Sequence, residues 1–248
     1  MTTVITFLRT AVLCLFCRTH GDVAKVANCL WNLNHNTSVN LAPYLRCLVD
    51  FNRKCDTSNL RIVKSIRLPL RSLFRLMRKY PDLRVVYLVR DPRAILKSQV
   101  KAFGHSPKTG SFCRMVLDDV NHMKLLLQTF PGRAVTVRYE DISNDPLEWT
   151  RRLYKFLQVE MTQRVVDNVK NMTSGPDKKK VWIYSVVRSD ARKTANRWRT
   201  EIDFKDSREV DKACRSVYEW LGYKAASNVS LHDLNTSLIN SHHKLPLL

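Results

Sequence analysis

The chain has 248 residues, 44% of them apolar, with no long low-complexity tract; one sizeable core fits this length, a second full domain would be cramped, and wholesale disorder is excluded. Forty-two Lys and Arg against 22 Asp and Glu give a net charge of +20, which favours acidic partners such as nucleic acid, an anionic membrane surface, a polyanionic glycan or a phosphorylated small molecule. The cysteines show no zinc-ligand spacing, since Cys14 and Cys17 form a lone C-x-x-C; together with sequons at Asn36, Asn171, Asn228 and Asn235 they lean toward an oxidising secretory compartment.

Residues 4–17 place Ile5, Leu8, Val12 and Leu15 at helical spacing, which predicts an amphipathic helix. The stretch is too short to span a bilayer and lacks the charged lead and cleavage site of a signal peptide. Residues 18–59 are loop-rich, with a short helix expected around 42–51. Residues 61–68 alternate basic and apolar side chains, as a strand at a sheet edge does. Residues 70–79 predict a basic amphipathic helix with Leu73, Leu76 and Met77 inward, stopped by Pro81.

Residues 83–98, LRVVYLVRDPRAILKS, are the centre of the pattern. The apolar run Val85 to Val89 predicts a strand buried on both faces. Helix-start residues follow at once, with Asp91 as N-cap and Pro92 in the first turn. Arg90 therefore stands at a strand's carboxyl end beside a helix N-terminus, a place suited to holding a phosphate. Ser98 follows roughly two helical turns later, within reach of the same anion. Arg93 is expected on the exposed side.

After a polar loop at 105–110, residues 112–130 predict the strongest helix, with Phe112, Val116, Val120, Met123, Leu127 and Phe130 on one stripe. A stripe of that kind is core packing. Residues 134–137 predict a strand parallel and adjacent to the one at 84–89, with the helices at 70–79 and 112–130 on the sheet faces. Glu140 and Asp141 then allow two readings, an acid/base or cation-binding pair, or carboxylates that pair with arginines and cap the next helix. A helix over 147–157, a break at 173–181, a basic Trp-containing stretch over 182–198 and a helix over 209–221 ended by Gly222 complete the domain. The domain is expected to run over 1–226, with 227–248 a polar, frayed tail.

LVRDPRAILKS resembles the 3′-phosphosulfate-binding motif of the carbohydrate sulfotransferases, in particular those acting on the 6-hydroxyl of galactose, N-acetylglucosamine or N-acetylgalactosamine. Other stretches are similar to family landmarks in the same order: RIVKSIRL, VRYEDISNDPLEWTRRLYKFL, YSVVRSDARKTANRWRTEI and ACRSVYEWLGYKA. The resemblance implies an α/β fold in three layers, a central parallel sheet flanked by helices in the manner of P-loop NTPases. It implies that Arg90 and Ser98 hold the 3′-phosphate of 3′-phosphoadenosine-5′-phosphosulfate (PAPS). Asp91, Pro92 and Arg93 belong to the same binding motif, Arg188 lies in a segment folding over the nucleotide, and Lys64 and Arg67 lie near the cleft.

The implied reaction moves a sulfuryl group from PAPS to a sugar hydroxyl of a glycan or glycoprotein acceptor, with no metal and no nucleic-acid partner. The catalytic base has no candidate in this sequence. The family's glycine-rich 5′-phosphosulfate loop and N-terminal membrane anchor have no counterpart, so the chain looks like the family's C-terminal two-thirds. Its membrane association would run only through that anchor, as a type II protein of the Golgi lumen. The alternative is a catalytically inactive relative or fragment that binds nucleotide or acidic glycan. A nucleic-acid-binding reading rests on the charge alone.

Overall fold

The computed structural model describes residues 3–8, 60–65, 68–174, 187–243 and 245. The short helix expected around 42–51, most of the 173–181 break and Arg67 lie outside them. Four strands form one sheet: β1 Thr3–Leu8, β2 Arg61–Ser65, β3 Arg84–Val89 and β4 Ala134–Arg138, in the order β2-β1-β3-β4. β3 and β4 are parallel neighbours, with Val86 opposite Val135 and Val89 opposite Arg138.

β1 corrects the helix expected over 4–17 for its first residues, 4–8; the rest of that stretch lies outside the described residues. The β1 residues pair antiparallel with both β2 and β3, Ile5 lying opposite Lys64 on one side and Val86 on the other. The Thr3–Leu8 run is rich in β-branched residues, which suit a pleated surface better than a helix; so short an apolar run does not separate the two by periodicity. The same strand makes the sheet mixed, where an all-parallel one was expected. β2 is an edge strand, as expected, but its charges do not all face out. Arg61 is buried while Ile62 and Lys64 face outward.

Helices cover the β3–β4 pair on both sides, as the period-two burial of the strands requires. Val85, Tyr87 and Val89 join the main core with α1 (Leu73–Lys79), α3 (Thr109–Thr129), α8 (Phe204–Ala213) and α9 (Arg215–Leu221). The intervening Val86, with Val135 and Val137, packs against Trp149, Phe156 and Leu157 of α5 (Pro146–Leu157). The helices expected at 70–79 and 112–130 thus share one face. A buried Asp119 carboxylate on α3 receives the Leu70 N–H at 3.0 Å and fixes the turn that leads into α1.

The helix expected over 209–221 is two helices. α8 begins at Phe204, and Cys214, at φ −97° and ψ 14°, separates it from α9. Cys214 is disulfide-bonded to Cys113 of α3. Gly222 ends α9 in the left-handed region at φ 72°, and a Cβ there would meet the His243 ring at 2.6 Å and the Arg138 guanidinium at 2.7 Å.

The segment after Ala226 is not frayed. It forms α10 (Asn228–His232) behind a Ser227–Ser230 capping box, and Tyr223 bridges to Ile239. Leu231, at 0% exposure, and Leu238 pack with Ala94, Trp198 and Ile202, while Leu245 enters the main core. Three buried leucines outweigh the polar composition that suggests fraying, at about 1.5–3 kcal/mol each. No described helix is long and apolar enough to cross a membrane.

Candidate active site at the carboxyl ends of two parallel strands

Because Val89 lies opposite Arg138, the residues that follow, Arg90 and Tyr139, leave the sheet side by side. β3 turns into α2 (Pro92–Phe103) and β4 into α4 (Tyr139–Asn144). The half-buried guanidinium of Arg90 lies over the Tyr139 ring, 4.8 Å from its centroid. Its Nε is buried and has no hydrogen-bond partner among the described residues. A buried donor left in that state costs about 1–3 kcal/mol, and it suits an incoming anion.

The turn behind Arg90 is built from charge. Asp91 caps α2 by accepting the Arg93 N–H at 2.9 Å, and Pro92 occupies the first turn. Arg93 corrects the exposed position expected for it, being fully buried. Its Nε and Nη2 donate to the two Asp91 oxygens at 3.0 and 2.7 Å, its Nη1 to Asp211 at 3.0 Å, and Nη2 also to the Lys224 carbonyl. The rings of Trp198 and Tyr218 lie 5.2 and 5.1 Å from its central carbon. Burial works against the charge, but the adjacent Asp91, assisted by Asp211, more than offsets it, and the guanidinium is held protonated more firmly than usual.

Glu140 is the second charged group taken out of water. Its Oε1 accepts the Asp91 N–H at 3.0 Å and its Oε2 the Tyr223 hydroxyl at 2.9 Å. Burial first, and the nearby Asp91 charge second, push its pKa up to about 7. The same burial, with Glu140 beside it, drives the Tyr223 hydroxyl well above the ordinary tyrosine range. Asp141 instead pairs with Arg138 at 2.8 Å, and Arg138 also donates to the Leu221 carbonyl. Of the two readings of the pair, Asp141 follows the arginine-pairing one, while Glu140 instead holds the Asp91 N–H and the Tyr223 hydroxyl.

A cavity of about 140 Å³ opens beside this network, with Asp91, Glu140, Asn144, Arg192, Asn196 and Tyr223 in its lining. Arg192 and Asn196 come from α7 (Ala191–Asn196), so part of the late basic segment does reach the strand ends. Arg188 has a different surrounding. It lies at the end of α6 (Gln163–Thr173), its N–H on the Met172 carbonyl and its guanidinium on the Val187 carbonyl. Ser98 is exposed on α2, and no hydrogen bond joins it to Arg90. Lys64 is exposed on β2. Among the described residues no group of three or more His, Cys, Asp or Glu is placed to hold a metal ion.

Tyr139 is the partner of Arg90 that the sequence reading passed over. Its signal was present, since R-Y-E-D follows a strand parallel to the one that Arg90 ends. Tyr223 stood within the ACRSVYEWLGYKA landmark without a role attached to it, and Asp211 carried no local signal.

A protein-family model described as the Sulfotransferase family matches residues 27–163, more than half of the 248 residues, and takes in β2 to β4 with Arg90 and Ser98. The chain belongs to the sulfotransferase family. Among curated relatives, this sulfotransferase chain is 29% identical to carbohydrate sulfotransferase 1 of Danio rerio over 231 residues, which cover 79% of this chain and 55% of that protein. It is 28% identical to the Homo sapiens protein of the same name over 221 residues, 75% of this chain and 54% of the relative. Against carbohydrate sulfotransferase 3 of Homo sapiens it is 28% identical over 218 residues, 72% of this chain and 44% of the relative. The sulfotransferase chain thus spans about half the length of the curated relatives it matches.

Proposed function

We propose that this chain carries the nucleotide-binding part of a carbohydrate sulfotransferase, which moves a sulfuryl group from PAPS to a sugar hydroxyl, the 6-hydroxyl of N-acetylglucosamine, galactose or N-acetylgalactosamine. The observation that carries the reading is Arg90, a half-buried cation at the carboxyl end of β3 whose Nε has no hydrogen-bond partner among the described residues. Family membership and the names of the relatives support the same reading.

The residues divide the work between binding and positioning. Arg90 takes the 3′-phosphate, held flat on Tyr139 so that its donors point one way. Ser98 supplies a second donor from α2. Asp91, Pro92 and Arg93 fix the turn between β3 and α2, since the described contacts of Arg93 are internal to the fold. Arg188 acts from the segment before α7. PAPS contributes the activated sulfuryl group; an S–O bond to the donor phosphate breaks as one forms to the sugar oxygen, and the hydroxyl proton leaves to a base. As in phosphoryl transfer, the protein's share is positioning and charge neutralisation.

Cysteine and sequon content support an oxidising secretory compartment, and family membership supports the Golgi lumen, with the protein a glycoprotein. Of the sequons, Asn171, Asn228 and Asn235 are exposed. Enzymatic deglycosylation of the cell-derived protein is expected to increase its gel mobility, and unchanged mobility refutes that placement. The binding assignment is tested by calorimetric titration of adenosine 3′,5′-bisphosphate. Arg90→Ala is expected to weaken binding, and equal affinities for wild type and variant overturn it.

A further inference from the structure

Helices α8 and α9 and the chain that returns after Gly222 enclose a groove of about 670 Å³, lined by Arg208, Lys212, Arg215 and Lys224 together with Asp211 and Glu219. The acids do not neutralise these cations. Both oxygens of Asp211 are already taken, one by Arg93 and the Tyr218 hydroxyl and the other by the Ala226 N–H. Glu219 meets Arg215 at 3.5 Å, but both are largely exposed, so water weakens the pair. Arg208, Lys212 and Lys224 are in no ion pair among the described residues.

The cations are also ordered. Arg208 and Lys212 lie one turn apart on α8, about 6 Å along its axis, and Arg215 at the start of α9 lines the same groove. Like charges at that spacing repel one another, and the neighbouring Asp211 carboxylate is already engaged by Arg93, Tyr218 and the Ala226 N–H. The groove's two aromatic rings, Tyr218 and Tyr223, are buried at 4% and 5% exposure and present no face on which a base could stack.

We propose that this groove is a second anion-binding site, and that its ligand is an acidic oligosaccharide whose carboxylates or sulfates meet Arg208, Lys212 and Lys224 in turn. This rests on the reading of the protein as acting on glycans, and adds where the glycan is held away from the reacting hydroxyl. The groove and the cavity beside the Arg90 turn back onto each other at Tyr223, but Arg208, Lys212 and Lys224 line the groove alone.

The test uses the full chain and two titrations. A heparin-derived octasaccharide is titrated at physiological ionic strength, with a desulfated, carboxyl-reduced octasaccharide and single-stranded oligothymidine as comparators. The variant is Arg208→Ser/Lys212→Ser/Lys224→Ser, three exposed positions outside the core. It is expected to bind the octasaccharide about tenfold more weakly, with a shallower salt dependence, and to bind adenosine 3′,5′-bisphosphate as wild type does. Arg90→Ala is expected to give the opposite pattern, so failure of the groove and failure of the nucleotide site read differently.

Three results overturn the proposal: no octasaccharide binding by wild type, equal binding by the triple variant, or oligothymidine binding as tight as that of the octasaccharide. Lys212→Glu alone provides the same comparison if the triple variant does not fold, and its unchanged affinity is equally decisive.

Discussion

The buried Glu140 makes stability depend on pH in a direction opposite to that of most carboxylates. In the folded protein it holds its proton up to about pH 7, while its ordinary value is 4.5. The folded state therefore binds more protons than the unfolded chain between those values, and stability falls as pH rises through the window. The full effect is present below 4.5 and is lost by the time the pH has passed 7. At about 1.4 kcal/mol per pH unit the loss is on the order of 3 kcal/mol, a large part of the stability of an ordinary domain.

Glu140→Gln removes the titration and keeps the shape. Its carbonyl can still accept the Asp91 N–H, and its amide can donate to the Tyr223 oxygen in place of the bond that the Tyr223 hydroxyl donates to Oε2. The assay is guanidinium unfolding of wild type and variant, oxidised, at steps from pH 4.5 to 8. Other titrating groups are common to both proteins and cancel in the difference. Relative to wild type, the variant is expected to gain stability as pH rises, by the magnitude above. A difference that stays flat across the window would refute the assignment of Glu140 as a buried acid.

Arg90→Ala is expected to cost about 1.5–3 kcal/mol of affinity for adenosine 3′,5′-bisphosphate, and Ser98→Ala about 1 kcal/mol, both by calorimetry. Arg93→Ala is expected to destabilise the fold by about 3–5 kcal/mol in chemical unfolding, because it leaves Asp91 and Asp211 without their cation. The Cys113–Cys214 bond joins residues 101 apart in sequence, so replacing both with Ser is expected to cost about 2–5 kcal/mol, read by the same method.

The parts of this protein that could be read from sequence are those fixed by near neighbours. The Asp91 cap, Pro92 in the first turn and the two-sided burial of β3 all depend on residues within a few positions. Arg93 shows where such reading stops. By helical spacing it belongs to an exposed surface, yet its partners Asp211, Trp198 and Tyr218 come from more than a hundred residues further on. Glu140 is similar, since Tyr223 lies 83 residues away. β1 was missed for another reason: a short apolar run satisfies a helix and a strand pattern alike, and its two sheet partners decided the outcome.

The return of the C-terminal segment into the core has a consequence for biosynthesis. Tyr223, which holds Glu140 behind the candidate site, is itself pinned by the bridge to Ile239, and Leu245 closes the core that Leu70 begins. A ribosome that has made β3, β4 and the Arg90 turn has not yet made the residues that lock them in place. The nascent chain therefore lacks the α8, α9 and C-terminal part of its core until translation has passed Leu245, and over that interval the α1 and α3 side chains awaiting those partners are open to misassociation.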